Sequence, residues 1–183
     1  MLNSLITSQT RIKLLKKFFL NGSTQAHLRG LEAEFGESSN AIRIELNRFE
    51  KAGLLDSRRV GNKKIFQANK THPLFEDIHN IILKETGIDA VIERVIHRLG
   101  ELDCIYLTGE FARGRDSNVI ELIIVGNGID MEYLAKKIMQ AEEFVRRKVN
   151  YIVFNSAESK KHLENFNPAD LLPLWNCNEN IAD

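Results

Sequence analysis

The chain has 183 residues, of which 43% are hydrophobic and 27% charged, and its formal net charge is zero. This hydrophobic share excludes a disordered protein, and 11 glycines and 3 prolines are too few for a low-complexity one. The length suffices for one or two domains with a core in each. No apolar run approaches the roughly 18–20 residues of a membrane span, and charges recur from Met1 to Lys17, so we expect neither a membrane segment nor a signal peptide.

The zero net charge conceals two oppositely charged parts. Residues 1–70 contain 13 lysines and arginines and 6 acidic residues, a balance of +7, whereas residues 71–183 contain 12 and 19, a balance of −7. A basic first third followed by an acidic remainder is typical of a module that binds a polyanion, joined to a second module. The two cysteines, Cys104 and Cys177, make no disulfide framework, which favours a reducing, cytoplasmic setting.

The first module is predicted to begin with helices. Apolar residues spaced three and four apart predict three of them, at 8–20, 26–35 and 38–52. Ser8 can cap the first helix with its hydroxyl oxygen. Gly36 and Gly53 end the second and the third, because glycine tolerates the left-handed conformation at a helix terminus.

A basic β-hairpin is predicted after the third helix. Two strand-like runs, 54–60 and 63–69, flank the dipeptide Gly61-Asn62, and glycine accepts the positive φ of a tight turn. Three helices followed by a basic hairpin is the element order of a winged helix-turn-helix. The segment LNRFEKAGLL at 46–55 resembles the end of the recognition helix in ArsR/MarR-like winged-helix families, which implies that residues 1–70 form a DNA-binding domain.

The residues expected to contact DNA lie on the third helix and the hairpin. A recognition helix enters the major groove by its N-terminal half, where asparagine pairs with adenine and arginine with guanine. The predicted base readers are Ser39, Asn40, Arg43 and Asn47. The predicted phosphate contacts are Ser38, Arg48, Arg58, Arg59, Lys63 and Lys64. Glu45 is expected near the reading face and argues against tight binding, and the alternative is a winged fold whose polar surface contacts a protein.

Residues 71–87 are predicted to connect the two modules. His72-Pro73 marks the boundary, because the residue before proline avoids helix, and a helix follows at 74–86. This helix can pack back on the first module or against its twin in a homodimer, which two DNA half-sites would require. His72 and His79 are seven residues apart, a poor spacing for metal ligands, and the first module has one histidine and no cysteine, so we expect no metal sensing.

Residues 88–183 are predicted to form a small α/β domain with a short mixed sheet. Apolar runs predict three strands, at 103–108, 119–125 and 149–154. Helical spacing predicts three helices, at 89–99, at 131–148 and from Asn155 or Ser156 to 166. The strand 119–125 is nearly all apolar, which indicates burial on both faces. We expect the apolar tail 171–175 to pack on the sheet.

The glycine turn between the first two of these strands carries a second resemblance. GEFARG at 109–114, followed by the apolar strand, is similar to the minimal nucleotidyltransferases of the DNA polymerase β superfamily. The resemblance implies a turn that holds nucleotide phosphates and three acids that bind two Mg²⁺ ions. Here the acid positions fall on Val119, Glu121 and Asn150, and Glu110 replaces the serine of the turn. The degenerate nucleotide site comprises Gly109, Glu110, Arg113, Gly114 and Glu121, and we expect no catalytic residue, metal or cofactor there.

Together these features predict an α+β protein that acts as a DNA-binding transcriptional regulator. Its second domain would be a catalytically inactive scaffold for dimerisation, partner binding or sensing. Two alternatives stay open. An active nucleotidyltransferase acting on a nucleic acid or a protein would need other acids, and a one-residue shift of the alignment brings Asp116 or Asn118 into play. A toxin–antitoxin-type interaction protein would need a protein partner.

Overall fold

The computed structural model describes residues 2–96 and 99–176, and the chain divides into two compact units, residues 1–85 and 86–183. The division falls within the predicted connector 71–87. Both units combine helices with a small sheet, so the predicted α+β class is confirmed. Cys177 and the last residues of the predicted second domain lie outside the described residues.

Unit 1 (residues 1–85) resembles a winged helix-turn-helix in element order and strand pairing. Its helices are α1 (Leu2–Leu5), α2 (Gln9–Phe19), α3 (Leu28–Phe35), α4 (Ser39–Lys51) and α5 (Phe75–Thr86), the last ending at the unit boundary. Its strands are β1 (Gln25–His27), β2 (Leu55–Val60) and β3 (Lys63–Ala68). They form an antiparallel sheet in the order β1-β3-β2. The hairpin β2–β3, called the wing below, was predicted, whereas α1 and β1 were not.

The ends of the unit 1 helices follow from local chemistry. Ser8 Oγ accepts a hydrogen bond from the Arg11 amide at 3.2 Å at the start of α2. The predicted helix 26–35 begins two residues late, because Ala26 and His27 pair with β3 and the His27 ring then caps α3, its Nδ1 accepting from Gly30 N at 2.9 Å. Gly36, at φ +65°, ends α3.

The core of unit 1 joins α2, α3 and α4. Leu14, Phe18, Leu31, Ile42 and Leu46 are at most 1% exposed. Burial of each such side chain contributes about 1.5–3 kcal/mol.

Helix α5 packs on α2, one of the two arrangements predicted for it. The Phe75 ring lies 5.8 Å from that of Phe19, and His79 Nδ1 lies 2.7 Å from the Phe19 carbonyl oxygen. Ile82 is fully buried. His72 Nδ1 accepts from the Leu74 amide at 3.1 Å, so both histidine rings take part in hydrogen bonds within unit 1.

Unit 2 (residues 86–183) is built on a mixed four-stranded sheet. Its helices are α6 (Ile88–Ile96), α7 (Gly109–Ala112), α8 (Met131–Val145) and α9 (Ser156–Leu163). Its strands are β4 (Glu101–Thr108), β5 (Val119–Asn127), β6 (Lys148–Phe154) and β7 (Leu172–Trp175). In the order β6-β5-β4-β7 only β5 and β6 are parallel, so the predicted mixed sheet is confirmed. The apolar tail forms the edge strand β7.

Two helices of unit 2 end earlier than predicted, and one of them is α9, which was predicted to reach residue 166 and ends at Leu163. The helix predicted at 131–148 stops at Val145, because Arg146 adopts a left-handed φ of +55° and the Lys148 amide donates to Asn118 O at 2.9 Å to begin β6. Helix α6 is described to Ile96, and residues 97–98 of the predicted helix lie outside the described residues.

The central strand β5 is buried on both faces, as predicted. Ile123 and Val125 join a cluster with Cys104, Tyr106 and Leu163, which brings α9 onto one face of the sheet. Strand alternation directs Ile120, Leu122 and Ile124 to the other face, where they are also buried. Within the described ranges, none of the helices has the length and apolarity needed to cross a bilayer.

Candidate nucleic-acid interface

The helix-turn-helix formed by α3 and α4 is anchored on α2 by ion pairs. Lys13 Nζ lies 2.6 Å from Glu37 Oε1 in the turn, and Thr10 donates a hydrogen bond to the same carboxylate. Lys17 Nζ lies 2.9 Å from Glu34 Oε2 near the end of α3. Burial would raise the pKa of Glu37, but the Lys13 and Thr10 hydrogen bonds and the Lys13 charge hold it below its usual value. These contacts hold α3 and the turn that leads into α4 against α2.

Helix α4 presents a polar stripe to solvent. Asn40, Arg43 and Asn47, three of the predicted base readers, are exposed and lie within about 60° of one another at 100° per residue. Their side chains make no hydrogen bond or ion pair with any described residue. The stripe also includes Ile44, which is 44% exposed. Ile44 was not among the predicted DNA contacts, although it lies one helical turn after Asn40. Ser39 is half-buried at the edge of this face.

Glu45 does not lie on the reading face, and that expectation is wrong. Its residue is 5% exposed and faces α2, where Arg11 Nε and Nη2 donate to its carboxylate at 2.9 and 3.1 Å. Arg48 Nη1 donates at 2.9 Å and Ser8 Oγ at 3.2 Å. Burial would raise the pKa of Glu45, but these hydrogen bonds and the two arginine charges lower it. The carboxylate therefore serves to hold α4 on α2, and it does not face a ligand bound to the exposed stripe.

Two predicted phosphate contacts on α4 have intramolecular partners. Ser38 Oγ caps the helix by accepting from the Ala41 amide at 3.3 Å. Arg48 is 59% exposed at its side chain while it bridges to Glu45. Both remain accessible beside the polar stripe, and the Glu45 carboxylate offsets part of the Arg48 charge.

The four basic residues of the wing lie on two faces of the hairpin. The register pairs Arg59 with Lys64 and Val60 with Lys63. Strand alternation puts Arg59 and Lys64 on the face that carries the buried Phe66, and Arg58 and Lys63 on the other. Arg59 and Lys63 make no ion pair with any described residue, whereas Arg58 Nη2 donates to Gln25 Oε1 at 2.9 Å.

Lys64 is held by the C-terminal half of α4. Its Nζ lies 2.7 Å from Glu50 Oε2, and Ser57 on β2 donates to the same carboxylate. The Lys64 and Ser57 hydrogen bonds lower the pKa of Glu50, so this acid is ionised at neutral pH. Glu50 thereby ties both wing strands to α4.

The wing and α4 border a cleft of about 410 Å³. Among the predicted DNA contacts, Arg43, Asn47, Lys63 and Lys64 line it, whereas the other six, on β2, at the start of α4 and at Arg48, do not. The structure therefore brings together two predicted base readers and two predicted phosphate contacts from different elements.

In unit 2, the predicted nucleotide positions meet at the start of β5. Gly109 has a φ of +67°, and a Cβ at this position would overlap the Glu121 carboxylate. Glu121 pairs in register with Asn150 on β6, and Val119 lies on the same face by strand alternation. Within residues 2–96 and 99–176, no cluster of three or more histidine, cysteine or acidic side chains could hold a metal ion.

The charged groups of the glycine turn are paired with the adjacent Arg115 and with Asp170 as well as with one another. Arg113 Nε and Nη2 donate to the two Asp170 carboxylate oxygens at 2.9 and 2.8 Å, which raises the pKa of Arg113 and lowers that of Asp170. Glu110 lies 3.4 Å from Arg113 and 3.2 Å from Arg115. Gly114 is buried behind them at φ +70°. The Glu110 side chain thus pairs with two arginines in the turn.

No family model matches the chain, and no curated protein is significantly similar to it. Among solved structures, reduced HlyU from Vibrio cholerae aligns with 46% of this chain and 83% of its own, at 14% identity and a TM-score of 0.37. A predicted DNA-binding transcriptional regulator from E. coli aligns with 47% of this chain and 86% of its own, at 24% identity and a TM-score of 0.35.

Proposed function

We propose that the chain is a DNA-binding transcriptional regulator whose unit 1 docks on duplex DNA through α4 and the wing. The observation that carries the proposal is the exposed stripe of Asn40, Arg43 and Asn47, polar side chains without an intramolecular partner in the described chain. They project from a helix whose orientation is fixed by ion pairs to α2. The major groove of B-DNA is wide enough to admit such a helix.

The stripe supplies chemistry suited to base edges. Arg43 has the planar donor pair that matches guanine O6 and N7, and the carboxamides of Asn40 and Asn47 match adenine N6 and N7. Ile44 adds an apolar contact of the kind that the thymine methyl group accepts. Because α4 begins at Ser39, Asn40 and Arg43 lie in its first half, the part that enters the groove in helix-turn-helix proteins.

The wing supplies positive charge for contacts with the DNA phosphate backbone. Lys63 and Arg59 carry charges without an ion pair in the described chain, and Arg58 is exposed beside them. Lys64 and Arg48 contribute less, because Glu50 and Glu45 offset their charges. Such contacts provide affinity and salt dependence but little sequence preference.

Unit 2 is, in this proposal, a degenerate nucleotidyltransferase-like domain without catalytic activity. Two observations support this: valine stands at the first acid position, and the Glu121 carboxylate fills the space beside Gly109. Its role would be dimerisation, partner binding or sensing, and a homodimer would let two copies of α4 read two half-sites. If purified chain with Mg²⁺ and labelled nucleotides transferred label in a Glu121-dependent manner, the catalytic part of this proposal would fail.

The experiment that tests DNA recognition is an unbiased selection from random duplexes at fixed salt, using the full chain. We expect an enriched motif, and Arg43→Gln and Asn47→Ala should each relax it at one position, by about 1–3 kcal/mol of discrimination. Lys63→Gln should weaken all duplexes equally, and Lys84→Gln on α5 serves as the matched charge control. Enrichment of no motif, or a motif unchanged in both α4 variants, would contradict base reading by α4.

A further inference from the structure

We propose that the cleft between α4 and the wing binds an organic anion with an apolar body, such as an aryl carboxylate or sulfonate, and that this ligand competes with DNA. The cleft is formed by the start of α3, the exposed side of α4 and strand β3. Its volume of about 410 Å³ lies within the range of small-ligand sites. We call it the α4–wing cleft.

The first argument is charge. Arg29, Arg43 and Lys63 line the α4–wing cleft and make no ion pair with any described residue. Lys64 also lines it, with its charge offset by Glu50. No carboxylate lines the cleft in the part of the chain that the structure describes. Three uncompensated cations around a concave surface focus a positive potential and favour an anion.

The second argument is the apolar floor. Leu46 and Phe66 are 1% and 4% exposed and form the base of the cleft together with half-buried Leu28. The Phe66 ring is covered by Lys64, whose Nζ lies 5.0 Å from the ring centroid. The apolar area that a ligand can cover is supplied by Leu28 and by the aliphatic parts of the lining Arg29 and Arg43, while Leu46 and Phe66 close the base. Inorganic phosphate gains nothing from such a surface, whereas an aromatic body buries apolar area against it. The apolar base and the surrounding cations together favour a ligand that has both an apolar body and a negative charge.

Polar groups that can orient the ligand also line the cleft. Asn47 and Asn62 contribute side-chain amides from α4 and from the tip of the wing. His27 Nδ1 is occupied by the Gly30 amide, so the neutral ring carries its proton on Nε2, which can donate.

Competition with DNA follows from shared side chains. Arg43, Asn47 and Lys63 line the α4–wing cleft and are also the proposed contacts to bases and phosphates. A ligand that engages them would weaken DNA binding, and DNA would weaken the ligand by the same factor. This consequence rests on the proposed function, whereas binding of the anion does not.

The test uses the full chain and 1-anilinonaphthalene-8-sulfonate as the probe, titrated by its fluorescence without DNA. We expect one site per chain. Leu28→Trp, which fills the cleft without a change of charge, should weaken the probe about tenfold, equivalent to about 1.4 kcal/mol. Arg29→Gln should weaken it about threefold through lost charge, and Lys84→Gln should leave it unchanged. If Leu28→Trp does not fold, the comparison of probe affinity between Arg29→Gln and Lys84→Gln still tests the site.

The outcomes separate this inference from the proposed function. Equal binding of the uncharged N-phenyl-1-naphthylamine, or of inorganic phosphate, would overturn the amphipathic anion site. Unchanged probe affinity in Arg29→Gln would overturn it as well. A probe that binds as expected while no duplex binds would refute the proposed function and leave the site standing. Duplex that binds without displacing the probe would refute the competition.

Discussion

Glu45→Gln tests whether a buried carboxylate holds the recognition helix on α2. Glu45 accepts four hydrogen bonds, two from Arg11 at 2.9 and 3.1 Å, one from Arg48 at 2.9 Å and one from Ser8 at 3.2 Å. Loss of one partner of a fully buried ion pair costs about 3–5 kcal/mol. The side chains of Arg11 and Arg48 are 36% and 59% exposed, so water can solvate them again. We therefore expect a loss of only about 1–2 kcal/mol.

The assay is urea unfolding followed by two signals. The single tryptophan, Trp175, and the three tyrosines all lie in unit 2, so tryptophan fluorescence reports unit 2 and far-UV circular dichroism reports both units. With a urea m-value of about 1 kcal/mol/M for a unit of this size, the unit 1 transition should move down by about 1–2 M. The fluorescence transition should not move.

The matched control is Glu32→Gln on α3, because the Glu32 side chain makes no hydrogen bond or ion pair with any described residue. That change should shift stability by less than about 0.5 kcal/mol. The pH dependence gives a second check. Since the pKa of Glu45 is lowered in the folded state, its contribution is complete above about pH 4.3 and is lost as pH falls through the folded pKa. Equal shifts in Glu45→Gln and Glu32→Gln at pH 7 would refute the reasoning.

Three further predictions use the same urea transitions. Gly100→Ala should lower the free energy of unfolding by roughly 1–3 kcal/mol more than Gly128→Ala. Both glycines have a positive φ, but of these two only Gly100 would bring a Cβ to 2.6 Å from a backbone oxygen. Equal losses in the two variants would contradict this close approach. Arg113→Ala should leave the urea midpoint of the fluorescence transition almost unchanged, because the ion pair between Arg113 and Asp170 is solvent-exposed and water can solvate both charges again. A large downward shift of that midpoint would show that Arg113 has another role. The lowered pKa of Glu37 makes its contribution present above about pH 4.3 and lost below, so Glu37→Gln should destabilise unit 1 at pH 7 and much less at pH 3.

The regular elements of unit 1 could be predicted because their signals are local. Apolar residues at helical spacing and glycine stops located α2, α3 and α4, and Gly61 located the wing turn. Strand β1 could not be predicted, because three residues form a strand only through pairing with β3, far along the chain. The packing of α5 on α2 likewise depends on contacts between distant residues.

One feature of the candidate interface could be predicted from the sequence and was nevertheless placed wrongly. Glu45 stands three residues after Ile42 and four before Phe49, which places it on the buried side of α4 whatever its charge. Its partner Arg11 on α2 could not be found, because ion pairing across helices depends on their packing. The division of the four basic wing residues between two faces follows from the two-residue turn at Gly61-Asn62, once the register is known.

The central claim is that unit 1 binds duplex DNA through α4 and the wing. The salt dependence of binding tests this claim most directly. The measurement is the slope of log K against log salt concentration for the full chain on a random-sequence duplex. We expect a negative slope of about 0.9 per phosphate contacted, reduced by about one contact in Lys63→Gln and unchanged in Lys84→Gln. A slope near zero, or the same slope in Lys63→Gln as in the unaltered chain, would contradict the account.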